Sequence, residues 1–126
     1  MRTREWLVAS VVAILLLHAF VVVRSAEHLQ KARDLAEIGK AFEAAREYQT
    51  AIGFHAPLNP YCRAAAHELH ALAEAVAPID PALGTDLQDR LQRSLKGTRS
   101  LYQSHHELVL PPRQSERRGD ITGRRD

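Results

Sequence analysis

The sequence predicts an all-α protein in which an N-terminal transmembrane helix is followed by a small four-helix array of hairpins. Two observations predict this fold. The first is an uninterrupted apolar run from Trp6 to Val23, and the second is the spacing of apolar residues by three and four positions in the segments that follow. No segment sustains the apolar–polar alternation typical of a half-buried strand, and Gly and Pro fall mainly between the predicted helices.

The apolar run is long enough to cross a membrane. Residues 6–23 are eighteen positions without a formal charge, and as an α-helix they extend about 27 Å, close to the ~30 Å hydrocarbon thickness of a bilayer. Arg2 and Arg4 precede the run and Arg24 follows it. We therefore expect residues 1–24 to form an uncleaved, single-pass membrane anchor.

A cleaved secretory signal is the alternative, because a basic start and an apolar run are common to both. Signal h-regions are usually about 7–15 residues long, and Arg24 lies where small residues are preferred, although cleavage before Ala26 is conceivable. We expect the anchor to stay in the membrane, with the N-terminus in the cytoplasm and the C-terminal domain on the other side. Basic residues flank both ends of the run, so the positive-inside rule alone leaves the orientation open.

Charge and cysteine content restrict the function of the remaining chain. Residues 25–112 carry nine Lys or Arg against eleven Asp or Glu, and residues 113–126 carry five against three. The near-neutral part lacks the basic stripe of a nucleic-acid-binding protein, and the single cysteine, Cys62, excludes an internal disulfide. We expect one α-helical domain over 25–110 and a disordered basic tail over 111–126, which has too few apolar residues to fold.

Two helices are predicted at the start of the domain. Ala26 to about Ala44 is rich in Ala, Glu, Lys and Leu, and the membrane helix is expected to run directly into it. Glu47 to about Phe54 forms a second, short helix. Pro57 ends it, because proline lacks an N–H and disfavours helical backbone in the residue before it.

The third helix has a well-defined start. Asn59 can accept hydrogen bonds from the free N–H groups of the first turn, and Pro60 follows at the first helical position, where its missing N–H needs no partner. Pro78 stops the helix. One apolar stripe runs along it, formed by Tyr61, Ala65, Leu69, Leu72 and Val76.

The fourth helix has two possible starts. Asp80 precedes Pro81 in the same arrangement, and a capping box begins at Thr85, with Gly84 in a short turn before it. The helix is expected to end near Leu110. Its apolar face includes Leu87, Leu91 and Leu95.

Residues 34–52, DLAEIGKAFEAAREYQTAI, resemble the first half to two-thirds of a tetratricopeptide repeat. Gly39 and Ala51 occupy the small positions of that family, where the paired helices cross, and Phe42 and Tyr48 fill the hinge between them. The resemblance implies a helical hairpin that presents a surface to a protein partner. The matching residues are Leu35, Ile38, Gly39, Phe42, Tyr48, Ala51 and Ile52.

The resemblance is incomplete. His55 and Leu58 stand where the family has an aromatic residue and an alanine, and Pro57 arrives early. Any αα-hairpin with small residues at its crossing gives a similar pattern. One such unit cannot bury its own apolar face, so the third and fourth helices are expected to complete the core. The segments AIGFHAPLNPY and RLQRSLKGTRS also resemble small single-pass bacterial membrane proteins. This resemblance implies a bacterial inner membrane as the location, with the C-terminal domain in the periplasm, and it implies no activity.

No pattern of residues predicts catalysis or a cofactor. His67, His70 and Glu74 recur on the third helix, with His105 and His106 near the end of the fourth, but the HELH segment lacks the i, i+4 histidine spacing of a zinc-hydrolase helix. No base is identifiable beside the cysteine. We predict a protein that is not an enzyme and holds no metal.

Arginines on the fourth helix provide the only concentrated charge of the domain. Arg90, Arg93 and Arg99, together with Lys96, recur every third residue. They form either a solvated face paired with Asp86 and Asp89, or a docking surface for an acidic protein partner.

Two functions are compatible with these features. The first is a membrane-anchored, non-catalytic interaction or scaffold module, whose helices bind a protein partner. The second is a structural accessory subunit of a larger membrane protein complex, packing through its transmembrane helix. Small residues on that helix, which allow close helix packing in membranes, are Ala9, Ser10, Ala13 and Ala19.

Overall fold

The protein is all-helical in a computed structural model that describes residues 2–54, 56 and 58–97. These residues form four helices and no strand, which confirms the predicted fold class. The helices are α1 (Arg2–Glu37), α2 (Ala41–Gly53), α3 (Pro60–Val76) and α4 (Pro81–Gly97). The predicted end of the last helix near Leu110 and the predicted tail lie outside the described residues.

Helix α1 joins the apolar run to the domain without a break, as predicted. It is long and apolar enough to cross a membrane, judged by length and composition. The side chains of the apolar run are mostly exposed, whereas Ser25, Leu29 and Ala32 farther along the helix are buried. The first half of α1 therefore projects from the domain, and the second half is one of the helices that build it.

Helix α1 ends at a glycine turn, which corrects the predicted helix to Ala44. Gly39 has a φ of 79°, in the left-handed region that favours glycine. Its N–H donates to the Ala36 carbonyl at 3.1 Å, and the Lys40 N–H donates to the Leu35 carbonyl at 3.0 Å. This pair of hydrogen bonds is a Schellman motif, in which glycine ends the helix. Helix α2 consequently begins earlier than predicted.

The predicted cap of α3 is confirmed. The Tyr61 N–H donates to Asn59 Oδ1 at 3.0 Å, and Pro60 is the first helical residue. The Asn59 side chain is buried and also donates from Nδ2 to the Phe54 carbonyl at 2.9 Å. One amide thus begins α3 and holds it to the end of α2.

Of the two predicted starts of α4, the structure shows the one capped by Asp80. The Leu83 N–H donates to Asp80 Oδ1 at 3.0 Å, whereas the Thr85 hydroxyl donates back to the Pro81 carbonyl at 2.8 Å inside the helix. The prediction of a turn at Gly84 is wrong, because Gly84 is a buried residue of α4.

The four helices form two layers, with α1 and α3 in one and α2 and α4 in the other. Helix α2 packs on α1, α3 and α4, and α3 packs on α1, α2 and α4. Within the described residues, α1 and α4 do not pack against each other. The two antiparallel hairpins therefore stack side by side, with α2 and α3 between the outer helices.

The core between the layers is rich in alanine. Alanine has no side-chain atom beyond Cβ, so helices that meet at alanine approach closely. The predicted stripes of α3 and α4 supply core residues, and Tyr48 and Ala51 of α2 are buried among them. The buried set is Leu29, Ala32, Ala44, Ala45, Tyr48, Ala51, Ile52, Ala65, Ala66, Leu69, Ala73, Leu87, Leu91 and Leu95.

Candidate partner-binding groove

The residues predicted at the crossing of the first hairpin occupy different environments. Ala51 is fully buried, and its carbonyl accepts a hydrogen bond from the Ser25 hydroxyl of α1 at 3.0 Å. The structure corrects the prediction that Gly39 lies at this crossing. Gly39 lies in the exposed α1–α2 turn, with open space where a Cβ would be. Leu35 is half-buried, and Phe42 is an exposed side chain rather than a hinge filler.

An open groove with a volume of about 770 Å³ runs along the outer face of α2. Its floor is α2, and its walls come from α1 on one side and α4 on the other. The groove exists because α1 and α4 both pack on α2 without packing on each other. Its lining residues are Lys31, Leu35, Glu43, Arg46, Glu47, Gln49, Thr50, Arg90 and Ser94.

The Glu47 carboxylate contacts two side chains of α1, those of Lys31 and His28. Lys31 Nζ lies 2.7 Å from Glu47 Oε1, and His28 Nδ1 lies 2.7 Å from Glu47 Oε2. Burial favours the neutral carboxyl, but the hydrogen bonds from Lys31 and His28 outweigh it, so the pKa of Glu47 is lowered. The carboxylate therefore stays charged at neutral pH and ties α1 to α2.

Arg90 lines the groove from α4 and is held by contacts within the protein. Its Nε donates to Asp86 Oδ2 at 2.6 Å, and its Nη1 donates to Gln49 Oε1 at 3.3 Å. The guanidinium also lies 4.6 Å from the centre of the Phe42 ring. Arg90 thus joins α2 to α4 and holds a positive charge at the groove wall.

The other predicted partner-binding arginines are not brought into the groove. Arg93 is exposed, does not line it, and donates from Nε to the Asp89 carbonyl at 3.3 Å. Arg99 lies outside the described residues. Of the predicted set, the structure places only Arg90 at the groove.

Arg46 is a groove residue that the sequence analysis did not single out. It is exposed on the groove floor and has neither an ion pair nor a side-chain hydrogen bond to any other described residue. Lys31, in contrast, is paired with Glu47. Arg46 is therefore a charge in the groove whose hydrogen-bonding capacity the described residues leave unused.

A second polar cluster lies on the opposite side of the domain and holds three helices together. The Arg33 Nε of α1 lies 3.1 Å from Oε1 and 3.0 Å from Oε2 of Glu68 on α3. The Tyr48 hydroxyl of α2 donates to Glu68 Oε2 at 3.2 Å. Burial, together with the neighbouring Glu68 carboxylate, raises the pKa of Tyr48 to about 12.

The thiol and histidines offer no reactive arrangement in the part of the chain that the structure describes. Cys62 is buried, burial raises the pKa of its thiol, and Sγ lies 3.1 Å from the Phe54 carbonyl. His70 Nε2 lies 3.5 Å from Glu74 Oε1. Over residues 2–54, 56 and 58–97, no group of three or more His, Cys, Asp or Glu side chains lies close enough to hold a metal ion.

No protein-family model matches the chain, and no curated protein or solved structure matches it either. The tetratricopeptide resemblance and the bacterial location therefore stay predictions from the sequence.

Proposed function

We propose that the protein is a single-pass, membrane-anchored helical module that holds an acidic segment of a protein partner and carries out no catalysis. The observation that carries this proposal is the construction of α1. One continuous helix exposes its apolar first half and buries one face of its second half in the domain. A rigid connection of this kind would fix the groove close to the membrane surface.

The contacts of α1 support an anchor that is not cleaved. Cleavage before Ala26 would remove Ser25, whose buried hydroxyl bonds the Ala51 carbonyl. It would also leave the α1–α2 hairpin without the first turn of its packed segment. An intact N-terminal mass in the membrane fraction would support the uncleaved form. We propose the inner membrane of a bacterium as the location, with the domain in the periplasm.

Charge and geometry favour a carboxylate as the ligand of the groove. The planar guanidinium of Arg46 can donate two parallel hydrogen bonds to a carboxylate, which gives both charge and direction. Arg90 adds a second positive charge at the wall. Glu43 and Glu47 also line the groove, so it is not uniformly basic, and it suits a peptide with a small number of well-placed acidic groups.

Capture of the full-length protein from its native membrane tests the proposal when three forms are compared. These are the natural protein, Arg46→Ala and Arg93→Ala. Arg93 is the matched control, because it is an exposed arginine of the same domain that does not line the groove. We expect a partner bound by the natural protein and by Arg93→Ala, and bound about tenfold more weakly by Arg46→Ala. Equal capture by the two variants would contradict a groove-bound partner.

The alternative, an accessory subunit that packs through its membrane helix, rests on the exposed small residues of α1. Ala9 and Ala13 lie four residues apart on the exposed part of the helix. A variant in which residues 7–22 are all leucine, with Trp6 and Ser25 unchanged, distinguishes the interaction module from the accessory subunit. Loss of the partner in this variant, with full capture by Arg46→Ala, would favour the accessory subunit.

A further inference from the structure

The contacts between α1 and α2 fix which end of the domain lies next to the apolar run. The Ser25 hydroxyl donates a hydrogen bond to the Ala51 carbonyl, and His28 contacts Glu47. The centres of the His28 and Phe54 rings lie 5.4 Å apart.

Asn59 Nδ2 donates to the carbonyl of Phe54, the residue that follows α2, at 2.9 Å. Because α1 and α2 are antiparallel, Phe54 and Asn59 lie level with the last apolar residues of α1. Leu58, which precedes Asn59 in the connection between α2 and α3, is therefore at the end of the domain from which the apolar run projects.

Leu58 in this connection has an unusual conformation and environment. Its φ is 63°, in the left-handed region that a bulky side chain rarely adopts, and 93% of its surface is exposed. Asn59 and Pro60, which follow, supply the cap and first residue of α3, so the start of that helix does not depend on a leucine side chain here. Leu58 thus contributes neither to the core nor to a favourable local conformation.

Basic residues lie at the same end of the domain. Arg24 follows the apolar run directly and is half-exposed. Lys96 is exposed in the last turn of α4. Helix α4 runs parallel to α2, because Phe42 contacts Arg90 and Gln49, farther along α2, contacts Ser94, farther along α4. An exposed apolar side chain at an end of the domain that also carries exposed cations is the composition that membrane–water interfaces favour.

We infer that Leu58 inserts into the interfacial region of the bilayer as a second membrane contact beside α1. This inference rests on the proposed membrane anchor. Its occupant is lipid, because the side chain lies level with the end of the apolar run, at the end of the domain from which α1 projects. A single membrane helix leaves the domain free to tilt. Two membrane contacts, α1 and Leu58, limit this tilt and therefore hold the groove at one angle to the membrane.

The chain contains a matched control for Leu58. Ile79 is another branched apolar side chain in a connection between helices, and 86% of its surface is exposed. It lies beyond the far end of α3, a helix of 17 residues, so it is about 25 Å farther along the domain. The inference requires Leu58 to contact lipid and Ile79 to remain in water.

Fluorescence quenching in vesicles tests the inference on the full chain. Single-cysteine variants Leu58→Cys, Ile79→Cys and Leu16→Cys, in a Cys62→Ala background, carry an environment-sensitive fluorophore. They are reconstituted in vesicles of phosphatidylcholine and phosphatidylglycerol that contain lipids with nitroxide groups at shallow or deep positions. A repeat of the Leu58→Cys measurement with the buried Cys62 retained checks that the background substitution leaves the result unchanged.

We expect the label at Leu58 to shift to shorter wavelength and to be quenched by shallow nitroxides, with the label at Ile79 unaffected by either quencher. The label at Leu16 should be quenched by deep nitroxides. A Leu16 label in the bilayer together with a Leu58 label in water would overturn the inference and leave the anchor intact. A Leu16 label in water would overturn the anchor and the inference with it.

Discussion

Gly84→Ala places one methyl group where α4 comes closest to the end of α3. A Cβ at Gly84 would lie 2.7 Å from the Ala77 Cα and 2.8 Å from the Ala77 Cβ. These atoms belong to the backbone or are fixed to it, so no rotation of a side chain can relieve the contact. The two helices must move apart at their shared turn.

The size of the effect follows from two opposing contributions. Overpacking of a well-packed contact costs about 1–3 kcal/mol, while replacing Gly by Ala in a helix gains up to about 1 kcal/mol. We therefore expect Gly84→Ala to lower the free energy of unfolding by up to about 2 kcal/mol relative to the natural protein, and by about 1–3 kcal/mol relative to a Gly→Ala variant that has the same helix gain without the contact. For a domain of this size, each kcal/mol lowers the Tm by roughly 4–8 °C.

Thermal unfolding of the full chain in detergent micelles, followed by far-ultraviolet circular dichroism, measures this change. Gly53→Ala is the matched control, since Gly53 is also helical and nothing lies within 4 Å of a Cβ built there. It should melt at the same temperature as the natural protein or higher. If Gly84→Ala melted together with Gly53→Ala, the close approach of α3 and α4 would be wrong.

Three further predictions concern two other contacts of the same domain. Gly39→Ala should destabilise the protein by about 1 kcal/mol, because alanine is strained at positive φ, and a melting temperature equal to that of Gly53→Ala would contradict the Schellman turn. Glu68→Gln should lower the pKa of Tyr48 from about 12, measured by tyrosinate absorbance, and an unchanged titration would exclude the contact. Because folding raises this pKa above 10.0, the stabilisation from Tyr48 should be complete below pH 10.0 and lost as pH rises to about 12.

The sequence determined those features that depend on neighbouring residues. The apolar run predicts a long exposed helix because its length alone matches a bilayer. Asn59 and Pro60 begin α3 because a capping side chain and a proline act on the N–H groups of the next turn. The apolar stripes of α3 and α4 follow from the period of the helix, whichever helices they pack against.

Tertiary structure decided the role of each glycine. The sequence pattern predicts Gly39 at a helix crossing and Gly84 in a turn, and the structure reverses these roles. Each glycine has helix-forming residues on one side, Lys40 and Ala41 after Gly39 and Ala82 and Leu83 before Gly84, so local pattern does not separate them. Only the position of Ala77 against α4 shows that Gly84 is the glycine at a helix contact that a Cβ would obstruct.

The groove likewise depends on which helices are neighbours in space. Periodicity along the predicted fourth helix led to Arg90, Arg93 and Arg99, because a sequence pattern compares residues of one predicted helix. The groove combines residues of α1, α2 and α4, which are far apart in the chain. Arg46 became a candidate only because α1 and α4 pack on either side of α2 and leave its outer face open between them.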